Sequence, residues 1–223
     1  MINILIVDDH ELIRHGIKRL LADANGIRVI DEVESGEKAI EYIRDDANSS
    51  PNVVLMDIQM PGIGGLEATR KMLRINPDLK VIVLTMYEGE PFPSRLLQAG
   101  AAGYLTKGCG AEEMIQAIRC VYSGRRYITP VIAQQLALKQ VNKEGGSPLD
   151  MLSERELQVM LMITSGQKVQ EISDKLCLSP KTVNSYRYRI FEKLNINSDV
   201  ELTHIAIRLG LIENIAPVGE VDN

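Results

Sequence analysis

Apolar residues recur along this chain at two periods. In the first half, short aliphatic runs read as strands: NILIVD (3–8), IRVIDEV (27–33), NVVLMD (52–57), KVIVLT (80–85) and GYLT (103–106). Between them the period becomes helical. Leu12, Ile13, Ile17, Leu20 and Leu21 recur at helical spacing over 11–22, and Ala39, Ile40 and Ile43 over 36–44. Further helices are predicted over 65–75, ended before Pro77, over 92–99, ended at Gly100, and over 111–122, stopped at Gly124. Five strands alternating with five helices predict a parallel sheet covered on both faces. Right-handed crossovers and the order 2-1-3-4-5 are expected, with the switch point between strands 1 and 3. Ligands bind there, at the carboxyl ends of the strands.

After Gly124 the alternation stops. GRRYITPVIAQQLALKQ reads as a connecting helix starting near Pro130, and NKEGGSP has linker composition. From Ser153 the pattern is helical throughout, in four short helices over 153–164, 168–176, 180–194 and 199–209. The expected division is therefore an α/β domain over 1–124, a partly helical linker over 125–148, an all-α domain over 149–212 and a loose tail over 213–223.

Bulk properties narrow the function. A chain of 223 residues holds two domains with separate cores. No apolar run approaches the roughly 18–20 residues of a membrane span, and no basic segment precedes the first apolar run. A cytoplasmic protein without direct membrane contact is expected. Cys109, Cys120 and Cys177 are odd in number and lack metal or redox spacing, so reduced thiols are expected. The net charge of −5 offers no global attraction to nucleic acid. Any contact with DNA must come from a local cluster.

The strand ends carry the chemistry. Asp8 and Asp9 close strand 1, Asp57 closes strand 3, strand 4 ends at Thr85, and Lys107 follows strand 5. In the expected order the three carboxylates meet at one edge, where they repel unless a cation holds them. A hard dication with oxygen ligands, Mg²⁺, suits Asp8 and Asp9. A lone carboxylate such as Asp57 can act as a nucleophile toward a phosphoryl group, with Lys107 and Thr85 neutralising and bonding the added oxygens. Singly, each residue also fits a solvated loop, a turn or a surface charge.

A second constellation lies in SPKTVNSYRYRIFEKL (179–194). Ser179 is a good N-cap and Pro180 suits the first turn. Val183, Ile190 and Leu194 share one face. Lys181, Thr182, Asn184, Ser185, Tyr188 and Arg189 are the candidate DNA contacts. Preceded by VQEISDKLCL, this makes a helix-turn-helix. Its cations would meet phosphates and its Asn, Ser and Tyr base edges. A solvated bundle face is the ordinary alternative.

These stretches carry a resemblance. IVDDHELIRHGI, VVLMDIQMPGIGGLEATR, VIVLT and AGAAGYLTKG resemble the receiver domain of bacterial two-component response regulators, a CheY-like, flavodoxin-like fold. LSERELQVM, EISDKL and SPKTVNSY with KL resemble the LuxR/NarL/FixJ-type DNA-binding domain. PFPSRLLQAGAAGYLTKG, YITPVIAQQLALK and SPKTVNSYRYRIFEKL are most similar to the GacA/UvrY/VarA/LetA group, over essentially residues 1–212. The resemblance implies that Asp57 accepts phosphate from the phosphohistidine of a membrane-bound hybrid sensor kinase. It implies Mg²⁺ held by Asp8, Asp9, Asp57 and the backbone carbonyl of Gln59, and a switch pair of Thr85 and Tyr104. On phosphorylation, Thr85 would swing to the phosphoryl group and Tyr104 would turn inward. It further implies homodimers on inverted-repeat promoter DNA, work with RNA polymerase, and activation of small regulatory RNA genes. Two departures stand out: Gly108 follows Lys107 where many receivers have proline, and Tyr186 stands at the usual histidine of the DNA-binding domain.

The chain is thus read as a transcription regulator rather than an enzyme, its unphosphorylated receiver masking residues 180–189. A phosphatase would want two acids spaced D-x-D, and Gln59 stands where the second would be. A DNA-binding regulator whose first domain works without phosphorylation is the alternative. An interaction adaptor with a decayed reader is disfavoured by the polar and basic face of 180–189.

Overall fold

A computed structural model describes residues 1–45, 50–86, 92–141 and 147–212. The expected tail over 213–223 and residues 142–146 of the expected linker lie outside them. The chain forms two compact units, Met1–Gly145 and Gly146–Asn223.

The first unit runs β1 (Ile2–Val7), α1 (Glu11–Leu21), β2 (Ile27–Val33), α2 (Gly36–Arg44), β3 (Val53–Asp57), α3 (Gly64–Ile75), β4 (Lys80–Thr85), α4 (Phe92–Gln98), β5 (Gly103–Thr106), α5 (Ala111–Tyr122), β6 (Tyr127–Ile128) and α6 (Pro130–Val141). The sheet is parallel, in the order β2-β1-β3-β4-β5-β6. The order 2-1-3-4-5 holds, but the expected count of five strands is corrected to six among the described residues. Gly124, at φ +85°, ends α5 and turns the chain back. Tyr127 N–H then donates to Ala102 O at 3.0 Å, which lays β6 beside β5.

Both sheet faces are covered, as aliphatic runs without polar alternation require. Ile4, Ile6, Val53, Leu55, Ile82, Leu84 and Leu105 pack with Ile17 and Leu21 of α1 and Met114, Ile118 and Val121 of α5. The intervening Leu5, Val7, Val54, Met56, Val81, Val83 and Tyr104 are buried on the other face. Each such side chain contributes about 1.5–3 kcal/mol by leaving water. That sum fixes the strand register and therefore where each strand delivers its last residue.

The second unit opens with a 3₁₀ turn at Pro148–Met151, then α7 (Glu154–Thr164), α8 (Val169–Leu176), α9 (Pro180–Leu194) and α10 (Asp199–Arg208). Serines start three of these helices, Ser153, Ser179 and Ser198 each accepting a backbone N–H of the first turn. Leu157, Met160, Ile172, Leu176, Val183, Ile190, Leu202 and Ala206 are among its buried side chains. Among the described residues no helix is long and apolar enough to cross a membrane.

Candidate functional site

β1 and β3 are neighbours in register, Val7 opposite Met56. Asp8 and Asp9, just past β1, therefore emerge beside Asp57, the last residue of β3. Lys107 follows β5, and its N–H donates to Thr85 O at 2.8 Å. Its Nζ lies 2.7 Å from Asp8 Oδ2 and 2.8 Å from Asp57 Oδ2. Asp8 and Asp57 are only 1% and 2% exposed. The structure thus brings Asp8, Asp9, Asp57 and Lys107 together as the strand ends indicate. Thr85 is buried at the end of β4. Tyr104 is fully buried on β5 opposite Val83, so its ring already faces inward. Gln59 donates its backbone N–H to Asp57 Oδ1 at 3.2 Å.

The loop after Asp57 is tightly held. Gly65 N–H donates to Ile58 O at 3.0 Å, and any Cβ at Gly65 would overlap the Asp57 carbonyl. Glu37, in the first turn of α2, accepts Ile63 N–H at 2.9 Å and packs on Gly62. On the other side Arg14 donates to Asp8 O at 2.7 Å, and His10 N–H donates to Asp8 Oδ1 at 2.8 Å. Sequence reasoning missed Glu37, Arg14 and His10. Of these, His10 had a signal, its place directly after the acid pair.

Burial pushes the Asp57 carboxyl up to about 6, with the Asp8 charge adding to it, although Lys107 and the Gln59 N–H pull the other way. Burial alone would lower the Lys107 ammonium, but the charges of Asp57 and Asp8 outweigh it and hold it above its ordinary value. Three carboxylates against one ammonium leave a negative excess. Donor atoms of Asp8, Asp9, His10 and Asp57 lie within 4.8 Å of one another. Asp9 Oδ1 is buried without a hydrogen bond. An acidic pocket of this kind suits a dication.

The second site is α9. Val169–Leu176 ends at Cys177 in a left-handed turn (φ 52°), closed by Ser173 Oγ on Leu178 O at 2.7 Å. Ser179 then caps α9 by accepting Thr182 N–H at 3.1 Å. Lys181, Ser185, Tyr188 and Arg189 are exposed, while Thr182 and Asn184 are half-buried. The Thr182 hydroxyl lies 2.8 Å from Ser179 Oγ, which ties it to the cap. The cations of α9 divide into two kinds. Arg187 grips Asp199 through two hydrogen bonds of 2.6 and 2.7 Å, and Lys193 pairs with the buried Glu156 at 2.6 Å. Lys181 and Arg189 have no carboxylate partner among the described residues, and Arg189 lies over the Tyr186 ring. The outward face of α9 is therefore polar and positive, a surface suited to a DNA groove.

Comparison with known proteins matches both units. Residues 4–119 match the response regulator receiver domain, and residues 150–206 match the bacterial regulatory proteins of the luxR family. The chain is 62% identical over 214 residues to the response regulator GacA of Pseudomonas syringae pv. syringae, covering 96% of this chain and 99% of that one. It is 61% identical over 212 residues to the response regulator UvrY of Escherichia coli K12, covering 95% and 96%. A solved structure of RcsB from Salmonella enterica serovar Typhimurium, bound to promoter rprA with the phosphomimetic BeF3⁻, is 26% identical with TM-score 0.64. That likeness covers 92% of this chain and 98% of that one. Strand-end acids in a parallel sheet, a helix-turn-helix with a polar and basic face, and these matches agree: the chain belongs to the response-regulator transcription factors of the GacA and UvrY type, a receiver domain joined to a LuxR-type DNA-binding domain.

Proposed function

We propose that Asp57 is phosphorylated by a sensor histidine kinase and that this charge event licenses DNA binding by α9. The observation that carries the reading is Lys107 Nζ bridging Asp8 and Asp57 at 2.7 and 2.8 Å in a buried pocket at the switch point of the sheet. The ionised Asp57 attacks phosphorus, a new P–O bond forms as the P–N bond to the donor histidine breaks, and the departing imidazole takes up a proton. Gln59 N–H orients the attacking carboxylate, and Glu37 and Gly65 hold the loop that carries it. Lys107 then turns from the carboxylates to the new phosphoryl oxygens, and the Thr85 hydroxyl donates to one of them. A Mg²⁺ ion held by Asp8, Asp9, Asp57 and the Gln59 carbonyl would add positive charge where the phosphoryl oxygens gather.

The ring of Tyr104 is inward here, the position expected to follow Thr85 engagement. Outward and inward states of this ring then make the bistable element that phosphate biases. In the cell the partners are a membrane-bound hybrid kinase, RNA polymerase and inverted-repeat promoter DNA bound by a pair of chains, with small regulatory RNA genes as the activated targets. Lys181 and Arg189 meet phosphates, while Asn184, Ser185 and Tyr188 reach base edges.

The test is chemical. The full chain is incubated with acetyl phosphate and Mg²⁺, and its intact mass and modified peptide are measured. One acid-labile phosphoryl group on Asp57, absent in Asp57→Asn, is expected. Labelling that survives in Asp57→Asn, or none in wild type, contradicts the reading.

A further inference from the structure

The imidazole of His10 sits at the mouth of the acid pocket and has no role in phosphate transfer as derived above. Its Nδ1 lies 3.0 Å from Asp9 Oδ1 and 3.3 Å from Asp8 Oδ1. Only the longer of these contacts has hydrogen-bond geometry, so Asp9 Oδ1 is left buried and unbonded. Two ligands at right angles on an ion with bonds of about 2.1–2.3 Å stand about 3.0–3.3 Å apart, which is the pair of separations seen here. With Asp57 they form a cluster of donor atoms within 4.8 Å of one another, close enough to share one ion.

Other reasons for a histidine at this position are weak. His10 is the N-cap of α1, yet its side chain makes no capping bond, and Ser, Thr, Asp or Asn would serve better there. Its side chain is 63% exposed, so an ion pair with the acids contributes little. Its backbone, by contrast, is fixed toward the pocket by the N–H bond to Asp8 Oδ1 at 2.8 Å.

We propose that His10 supplies a nitrogen ligand to the acid pocket, so that the pocket binds borderline first-row dications such as Co²⁺, Ni²⁺ or Zn²⁺ as well as Mg²⁺. This rests on the reading of Asp8, Asp9 and Asp57 as metal ligands. Imidazole strengthens binding along the Irving–Williams series and offers little to a hard ion. Asp8 and Asp57 supply the buried oxygens, and His10, exposed at the rim, closes the site from the solvent side. The pocket then discriminates between two classes of ion through one residue that phosphate chemistry does not need.

The experiment titrates the full chain calorimetrically with CoCl₂ and, separately, MgCl₂. Co²⁺ ligand-field absorption is recorded in parallel. Wild type, His10→Ala and His10→Gln are compared, with circular dichroism confirming that each is folded. The expected result is that both variants lose about tenfold or more in Co²⁺ affinity and change its absorption spectrum, with Mg²⁺ affinity kept. Unchanged Co²⁺ affinity and spectrum in the variants would overturn the proposal while leaving the acid pocket standing. Equal loss for both ions would also overturn it, since His10 would then merely order the loop. Failure of wild type to bind either ion would overturn the acid-pocket reading itself.

Discussion

Asp57 is a buried acid whose carboxyl is pushed up to about 6, and the unmodified protein bears the cost of its charge. With the folded value above the usual carboxylate range, the fold binds this proton more tightly than the unfolded chain does. Stability therefore falls as pH rises from the unfolded value through about 6, and that fall is complete above it. Asp57→Asn removes the charge. Without divalent cations it should be more stable than wild type by about 1–3 kcal/mol near pH 8, with the gap closing near pH 4. Urea unfolding of the receiver unit at the two pH values measures this, and parallel pH profiles would contradict it. Gly65→Ala forces a methyl against the Asp57 carbonyl. It should lose about 1–3 kcal/mol and label more slowly with acetyl phosphate, measured by the same unfolding and by intact mass. Asp8, Asp9, Asp57 and Lys107 were legible in the sequence because each stands at or just past the end of an apolar strand, where direction follows from period. Glu37, 26 residues from the Ile63 N–H it holds, was not, since that bond depends on how α2 packs against α3.

Among the elements, α9 is the one whose charges divide between scaffold and surface. Lys193 pairs with Glu156, which is 3% exposed and also accepts Ser153 N–H at 2.7 Å. Lys193→Ala leaves that carboxylate buried without its cation. It should destabilise the helical unit by about 1–2 kcal/mol, discounted for the half-exposed lysine, as read by thermal unfolding. Arg189→Ala should leave the melting temperature unchanged and lower the slope of log Kd against log salt by about 1, as expected for one lost phosphate contact. An Arg189→Ala chain that melts early, or binds DNA with the wild-type salt slope, would contradict the division. The four helices of this unit lie within a residue of where the apolar period puts them, because serine caps mark three of their starts. β6 was not legible. Two residues, Tyr127 and Ile128, carry no period, and their pairing with β5 comes from the turn at Gly124.

At the scale of the whole molecule, the receiver unit holds the proposed chemical event and the helical unit holds the reader. The net charge of −5 gives the chain no general affinity for DNA, so in the proposed reading binding rests on the few cations of α9 and on pairing two such helices. A protein that depends on so few contacts is easily gated, since a coupling of about 1–3 kcal/mol changes affinity about 5–150-fold. The two-unit plan follows from the change of apolar period after residue 124, whereas the coupling between units has no signature in any local pattern. The direct measurement is fluorescence anisotropy of a labelled promoter duplex from a small regulatory RNA gene. Wild type and Asp57→Asn are titrated with and without acetyl phosphate and Mg²⁺. The account predicts that the phosphodonor tightens wild-type binding about fivefold or more and leaves Asp57→Asn unchanged. Equal affinity of both proteins under every condition would contradict it, leaving a DNA-binding regulator whose receiver works without phosphorylation.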